Sequence, residues 1–355
     1  MDEARAEALL KGLIEAYSPS TEEGPAVRYL VEQMNQLGLA SSIDEAGSAV
    51  GVRGQGPYTL LLLGHIDTVP GQIAVRREGS LLYGRGTVDA KGPLAAFTCA
   101  AARAAPRPDL RVIVVGAVEE EAATSKGERA LLDRLQPDAV IIGEPSGWTR
   151  ITVGYKGRLL LDYRLERELG HTAGPQTGVC EEAVAFWQHV AEDAARWNAE
   201  RSRIFEQLTP SLRSIRSSSD GLTEHVVMTL GFRLPQGIDV DALEARLRSL
   251  DENAEMQFRG REVAYRAPKN TPLVRAFLAA IRGEGEQPAF QVKSGTSDMN
   301  VVGPAWRCPI LAYGPGDSSL DHTPHEHIDL GEYHRAISIL TSVLEQIRFV
   351  APPAR

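Results

Sequence analysis

Three short runs constrain this chain more than any other feature: TLLLLGHID (59–67), RVIVVGAVE (111–119) and AVIIGEP (139–145). Each is almost unbroken apolar sequence that stops abruptly on a histidine or an acid. Continuous rather than alternating apolarity suits strands buried on both faces. Stretches of helical composition, Ala90 to Ala105 and Ser125 to Leu135, lie between the runs. The order strand, helix, strand, helix, strand therefore predicts an α/β sheet covered by helices. In such sheets ligands gather at the carboxyl ends of the strands.

The rest of the chain extends this pattern and then interrupts it. Apolar residues at helical spacing predict helices from Glu3 to Tyr17 and from Glu23 to Leu37. From about Arg150 the texture becomes alternating, in RITVGYKGRLLLDYRLE (150–166), HVVMTLGFRL (225–234) and AEMQFRGREVAY (254–265), with helical stretches at 179–198 and 239–250. That is the signature of an antiparallel sheet with helices on one side. Near Pro268 the first texture resumes, with a helix at 272–282, the run CPILAYG (308–314) and a last helix at 331–347. The reading is a catalytic domain in two parts, 1–152 and 267–355, with an α+β unit inserted at 153–266.

Composition excludes several classes. No apolar run is long enough to span a bilayer. The start, MDEARAEALLKGLIEAY, carries acids where a secretion signal would be basic. Three scattered cysteines (Cys99, Cys180, Cys308) do not make a disulfide framework, which points to a reducing cytosol. A net charge of -9 argues against general nucleic-acid binding.

The chemistry-bearing residues fall where strands end: His65 and Asp67, the triplet Glu119-Glu120-Glu121, and Glu144. Asp89 lies in the turn GRGTVDAKG just before a helix, and DHTPHEH (321–327) comes near the other end of the chain. Each has a plainer reading taken alone: a hydrogen-bonded His-x-Asp pair, a solvated helix start for the triplet, a helix cap for Asp89, a polar loop for the histidine tract. Together they place unpaired charge beside buried strand ends, where it is costly. A metal removes that cost, and histidine with carboxylates suits Zn²⁺, Co²⁺ or Mn²⁺ in a hydrolytic site.

In this order GHIDTVPG, GRGTVDAKGPLAAF, the glutamate triplet, GEPSG and HTPHE resemble the dinuclear metallopeptidases and deacylases of the M20 type, over nearly the whole chain. The resemblance implies a zinc-peptidase-like α/β sheet with an inserted lid or dimerisation domain, a homodimer, and two divalent metal ions, Zn²⁺ or Co²⁺. It makes Asp89 the carboxylate bridging the metals, His65 and Glu144 ligands of one and Glu121 and His322 of the other, with Asp67 accepting the second N–H of His65. The family pattern is Asp-Glu-Glu, so the triplet leaves the register open. Aligning Glu119 with the aspartate puts Gly127 at the family spacing and makes Glu120 the general base. Glu326 becomes the acid accompanying His322, and His171 in GHTAGP an oxyanion donor. Arg233, Ser294, Gly295 and Thr296 become substrate contacts.

Finer wording, including TVDAKGPLAAF, SGTSDMN and YGPGDSSLDHTPHEHI, resembles the members of that family that release lysine or ornithine from the terminal glutamate of an acidic amino-group carrier protein, LysW. Arg76, Arg77, Arg85, Arg150, Lys156 and Arg158 are candidates for a basic surface that receives it. Asp298 and Asp317 are candidates for meeting the distal amine of the released amino acid. Two other readings stay open: a small-molecule deacylase acting on acetylornithine or succinyl-diaminopimelate, and a metal-free binding or scaffold protein.

Overall fold

A computed structural model describes residues 1–171 and 177–349. The chain divides into two compact units, one of Met1–Gly154, Ala267–Val292 and the chain from Ser297 onward, the other of Tyr155–Arg266 and Lys293–Thr296. The segment 293–296, assigned above to the second part of the catalytic domain, packs with the other unit. Nothing in its composition signals this.

The first unit is built on the three apolar runs. Strands Tyr58–His65, Leu110–Ala117 and Ala139–Gly143 lie side by side and parallel, with Leu60 opposite both Val112 and Ala139, and Ile310–Ala312 continues the parallel set. Ala49–Arg53 and Arg150–Tyr155 flank this set antiparallel to their neighbours, so the sheet is mixed at its margins. Register decides where the chemistry goes. His65 pairs with Ala117 and Gly64 with Gly143, so all three strands finish at one edge and deliver their polar ends to the same place.

Helices Glu3–Glu15, Gly24–Gln36, Lys91–Arg103, Pro272–Gly283 and Leu330–Gln346 bury their apolar faces around this sheet in one continuous core. Helix Lys91–Arg103 is buried over nearly its whole length, and its alanines (Ala95, Ala96, Ala100, Ala101) allow close approach to the neighbouring layers. No helix of the described residues is long and apolar enough to cross a membrane.

The second unit is an antiparallel sheet in the order Thr209–Ser219, Thr223–Leu234, Gly157–Glu168, Glu255–Glu262. Helix Val179–Asn198 lays Val179, Ala183, Phe186, Val190 and Ala194, spaced as one helical stripe, against its apolar face. Strand Thr209–Ser219 escapes sequence reading because it is an edge strand, mostly exposed and rich in serine.

Candidate metal centre

The common strand edge gathers four of the expected side chains into direct contact. His65, at the end of its strand, is almost fully buried, and its Nδ1 stands 3.0 Å from the main-chain carbonyl of Asp67. That leaves Nε2 facing Asp89 Oδ1 at 3.1 Å. The other carboxylate oxygen of Asp89, Oδ2, lies 2.9 Å from His322 Nε2, which is 2.8 Å from Glu121 Oε1. Asp89 does not cap the adjoining helix: its neighbour Ala90 holds the cap position without a side-chain bond, so both Asp89 oxygens point at imidazoles.

A shell of hydrogen bonds aims these groups. Asp67 sets its main-chain carbonyl at 3.0 Å and a carboxylate oxygen at 3.5 Å from His65 Nδ1. The carboxylate also accepts the amides of Glu120 (3.1 Å) and Glu121 (3.0 Å) and the hydroxyl of Ser20 (2.7 Å). Glu23 accepts the amide of Glu119 in the same way. Glu326 accepts the amides of Val88 and Asp89 on one oxygen and Arg85 Nη1 on the other at 2.8 Å, in a buried ion pair. Glu119 and His322 hold left-handed backbone, φ 62° and 61°, which costs about 1 to 3 kcal/mol for each non-glycine residue and is typical of functional turns. Gly127 cannot carry a side chain, because a Cβ there would lie 2.6 Å from the Val118 amide. The triplet is therefore no helix start; helix Lys126–Leu132 begins beyond it.

The electrostatics demand cations. Burial alone would raise the Asp89 carboxyl, but His322 and His65 overcome that and hold it well below the usual range. Burial would lower His65, yet Asp67 and Asp89 lift it well above its ordinary value. Asp89 and Glu121 push His322 up to about 11. Burial holds Glu120 well above the usual carboxyl range, countered by His65 and reinforced by Glu121, Glu144 and Glu128. The surrounding acids thus favour the charged form of both imidazoles, so the cluster is a place where positive charge is stabilised. The hard-to-borderline donor set, with a carboxylate shared between two imidazole sites, fits a pair of divalent metal ions.

These shifts make the metal-free protein pH-sensitive. The His322 contribution to metal-free stability is fully present below its unfolded value of 6.5 and is lost as pH rises toward about 11. The raised carboxyls of Glu120 and Glu121 act with the same sign. Thermal melts of chelator-treated protein should fall steadily across that range, while divalent metal binding tightens as protons are displaced. A melting temperature independent of pH would show that the imidazoles are not charged.

Other expected residues fall in two places. Glu144 directly succeeds strand Ala139–Gly143, is buried, and acts electrostatically on Glu120. His171 is an exposed residue of the second unit, and most of its GHTAGP motif lies outside the described residues. Arg233 Nη1 donates to Thr296 Oγ1 at 3.3 Å within that unit, beside Ser294 and Gly295 in sequence. Five of the six candidate surface cations are already engaged: Arg76 pairs with Glu78, Arg77 with Glu7, Arg85 with Glu326 and Arg158 with Glu262, and Lys156 is buried with its Nζ on the carbonyls of Ile204 and Gln207. Sequence reasoning also missed Lys91, a buried amine donating to the carbonyls of Leu13 and Ala16 and pushed by burial down to about 7. A lysine opening an otherwise apolar helix was its only signal.

The model of peptidase family M20/M25/M40 matches residues 61–346, and the chain belongs to that family. It is 45% identical to the LysW-lysine hydrolase of Deinococcus radiodurans over 98% of both chains. It is 38% identical to a putative LysW-lysine/LysW-ornithine hydrolase of Thermococcus kodakarensis, over 96% of this chain and 91% of that one. Among solved structures, an M20 family metallo-carboxypeptidase from Sulfolobus solfataricus shares the fold with a TM-score of 0.78 at 19% identity, over 97% of this chain and 99% of that one.

Proposed function

We propose that this chain is a metal-dependent amide hydrolase that releases lysine, and ornithine as a second substrate, from the side-chain carboxyl of the C-terminal glutamate of the carrier protein LysW. The observation that carries the reading is the 45% identity to a LysW-lysine hydrolase over essentially the full length of both chains. Two divalent cations, zinc or cobalt, would be held by His65 and Glu144, by Glu121 and His322, and between them by Asp89; when bound they supply Lewis acidity and lower the pKa of an attacking water.

The chain's own residues do the rest. Glu120, its carboxyl held above the usual range by burial, takes the water's proton and passes it to the departing α-amino group. His171 donates to the developing oxyanion. Arg233, held by Thr296, offers a planar fork to a substrate carboxylate, with Ser294 and Gly295 beside it in sequence. The second unit acts as lid and dimerisation domain of a homodimer, which the outward edge of strand Thr209–Ser219 supports, since long exposed edges invite pairing. Cys99, Cys180 and Cys308 are free, in keeping with a cytoplasmic enzyme.

The experiment is a substrate panel on metal-reconstituted protein: LysW-linked lysine, LysW-linked ornithine, acetylornithine and succinyl-diaminopimelate. The carrier-linked amides should be cleaved with the higher kcat/KM. Preference for the free acyl compounds would make the chain a small-molecule deacylase, and folded protein that takes up no divalent metal and cleaves none of the four would make it a scaffold.

A further inference from the structure

Glu128 and Asp298 form a second acidic pair that the proposed reaction does not use. Glu128 lies in helix Lys126–Leu132, Asp298 opens helix Asp298–Trp306, and both side chains are fully buried in the first unit. Their carboxyls face each other at hydrogen-bonding range. Yet Oε1 and Oε2 of Glu128 and Oδ1 of Asp298 meet no donor in hydrogen-bonding geometry among the described residues. The Ser125 hydroxyl and the amide of Glu128 itself favour the ionised form of Glu128, but no basic side chain among the described residues forms an ion pair with either acid.

Burying carboxylates without donors is expensive, and mutual repulsion keeps one proton on such a pair. A structural strut between two helices would not need it, because apolar residues of similar volume pack there at lower cost. The pair also lies within electrostatic reach of the reaction centre: Glu128 acts on Glu120, and both Glu120 and His65 act on Asp298.

Building on the function proposed above, we infer that Glu128 and Asp298 are the countercharge for the distal ammonium of the amino acid being released. A primary ammonium brings three N–H donors and one positive charge. A proton shared between the two carboxyls occupies one oxygen of each, and the pair keeps one negative charge and its remaining oxygens to accept N–H groups. The match selects a basic amino acid over a neutral one of the same length, since a neutral side chain leaves those oxygens unpaired. The other acid considered, Asp317, is exposed and already accepts the Ser319 amide as the cap of a short turn.

The test compares LysW conjugated to lysine with LysW conjugated to 2-aminoheptanoate, an isostere ending in a methyl group. The wild-type enzyme should favour the lysine conjugate by about 100-fold or more in kcat/KM. Glu128→Gln and Asp298→Asn should each lower kcat/KM for the lysine conjugate at least about tenfold more than for the isostere, collapsing the ratio. Parallel loss on both conjugates, or an unchanged ratio, would overturn the inference and leave the pair a strut. A wild type that cleaves neither conjugate overturns the functional reading itself, and with it this one. Should either variant fail to fold, calorimetric titration of the wild type with free lysine and free 2-aminoheptanoate decides: equal affinity refutes the assignment.

Discussion

A Glu120→Gln variant keeps its fold and its bound metal and loses kcat by about a hundred- to ten-thousand-fold, the range that removing a general base produces. The backbone of Glu120 is held by its amide on Asp67, a bond that the substitution leaves in place. Its side chain is not one of the groups in contact around Asp89 and His322. What glutamine removes is a carboxyl that burial and neighbouring acids hold well above its ordinary range, where it can accept a proton from water and return it. Glu121→Gln should behave oppositely. Glu121 Oε1 touches His322 Nε2, so the amide loses the negative charge that a cation there requires, and metal content falls. Metal analysis, thermal melts and kcat measured on both variants separate the roles. If Glu121→Gln kept metal and Glu120→Gln lost it, the triplet would have to be read one residue along.

Asp89→Asn is expected to have the larger effect on metal, weakening binding of both ions by more than about 100-fold and abolishing turnover with them. Its two oxygens each face a different imidazole, at 3.1 Å and 2.9 Å. A shared anion is what allows two like-charged ions to stand close together. Asparagine offers one oxygen and one NH₂ group, so one imidazole site would face a donor. Titration of metal-free protein with zinc or cobalt measures the loss, and the amide spectrum reports whether the fold is intact. Two ions bound with wild-type affinity would refute the bridging role.

Much of the framework was legible in the sequence because each part of it had a local signature. The runs at 59–67, 111–119 and 139–145 are continuous and apolar because their strands are buried on both faces, and their polar ends mark where the strands leave the sheet. His65, Asp89, Glu121 and His322, which the structure brings into contact, were found by that rule and by the resemblance that their motifs carry. What escaped depends on contacts between distant residues. That the Asp67 carboxylate also holds the amides of Glu120 and Glu121 depends on how two distant turns meet, which no spacing encodes. The burial of Arg85 against Glu326 turned a candidate surface charge into an internal one. Glu128 and Asp298 have no shared motif, and only folding sets them face to face.

The bonds from Glu326 to the Val88 and Asp89 amides, and from His322 to Asp89, span well over 200 residues of chain. A polypeptide still emerging from the ribosome therefore has His65, Asp89, Glu121 and Glu144 in hand but neither the imidazole nor the acid that completes their arrangement. The contacts of His322 with Asp89 and Glu121 therefore form only when synthesis is nearly finished, and any product cut short before residue 322 lacks them.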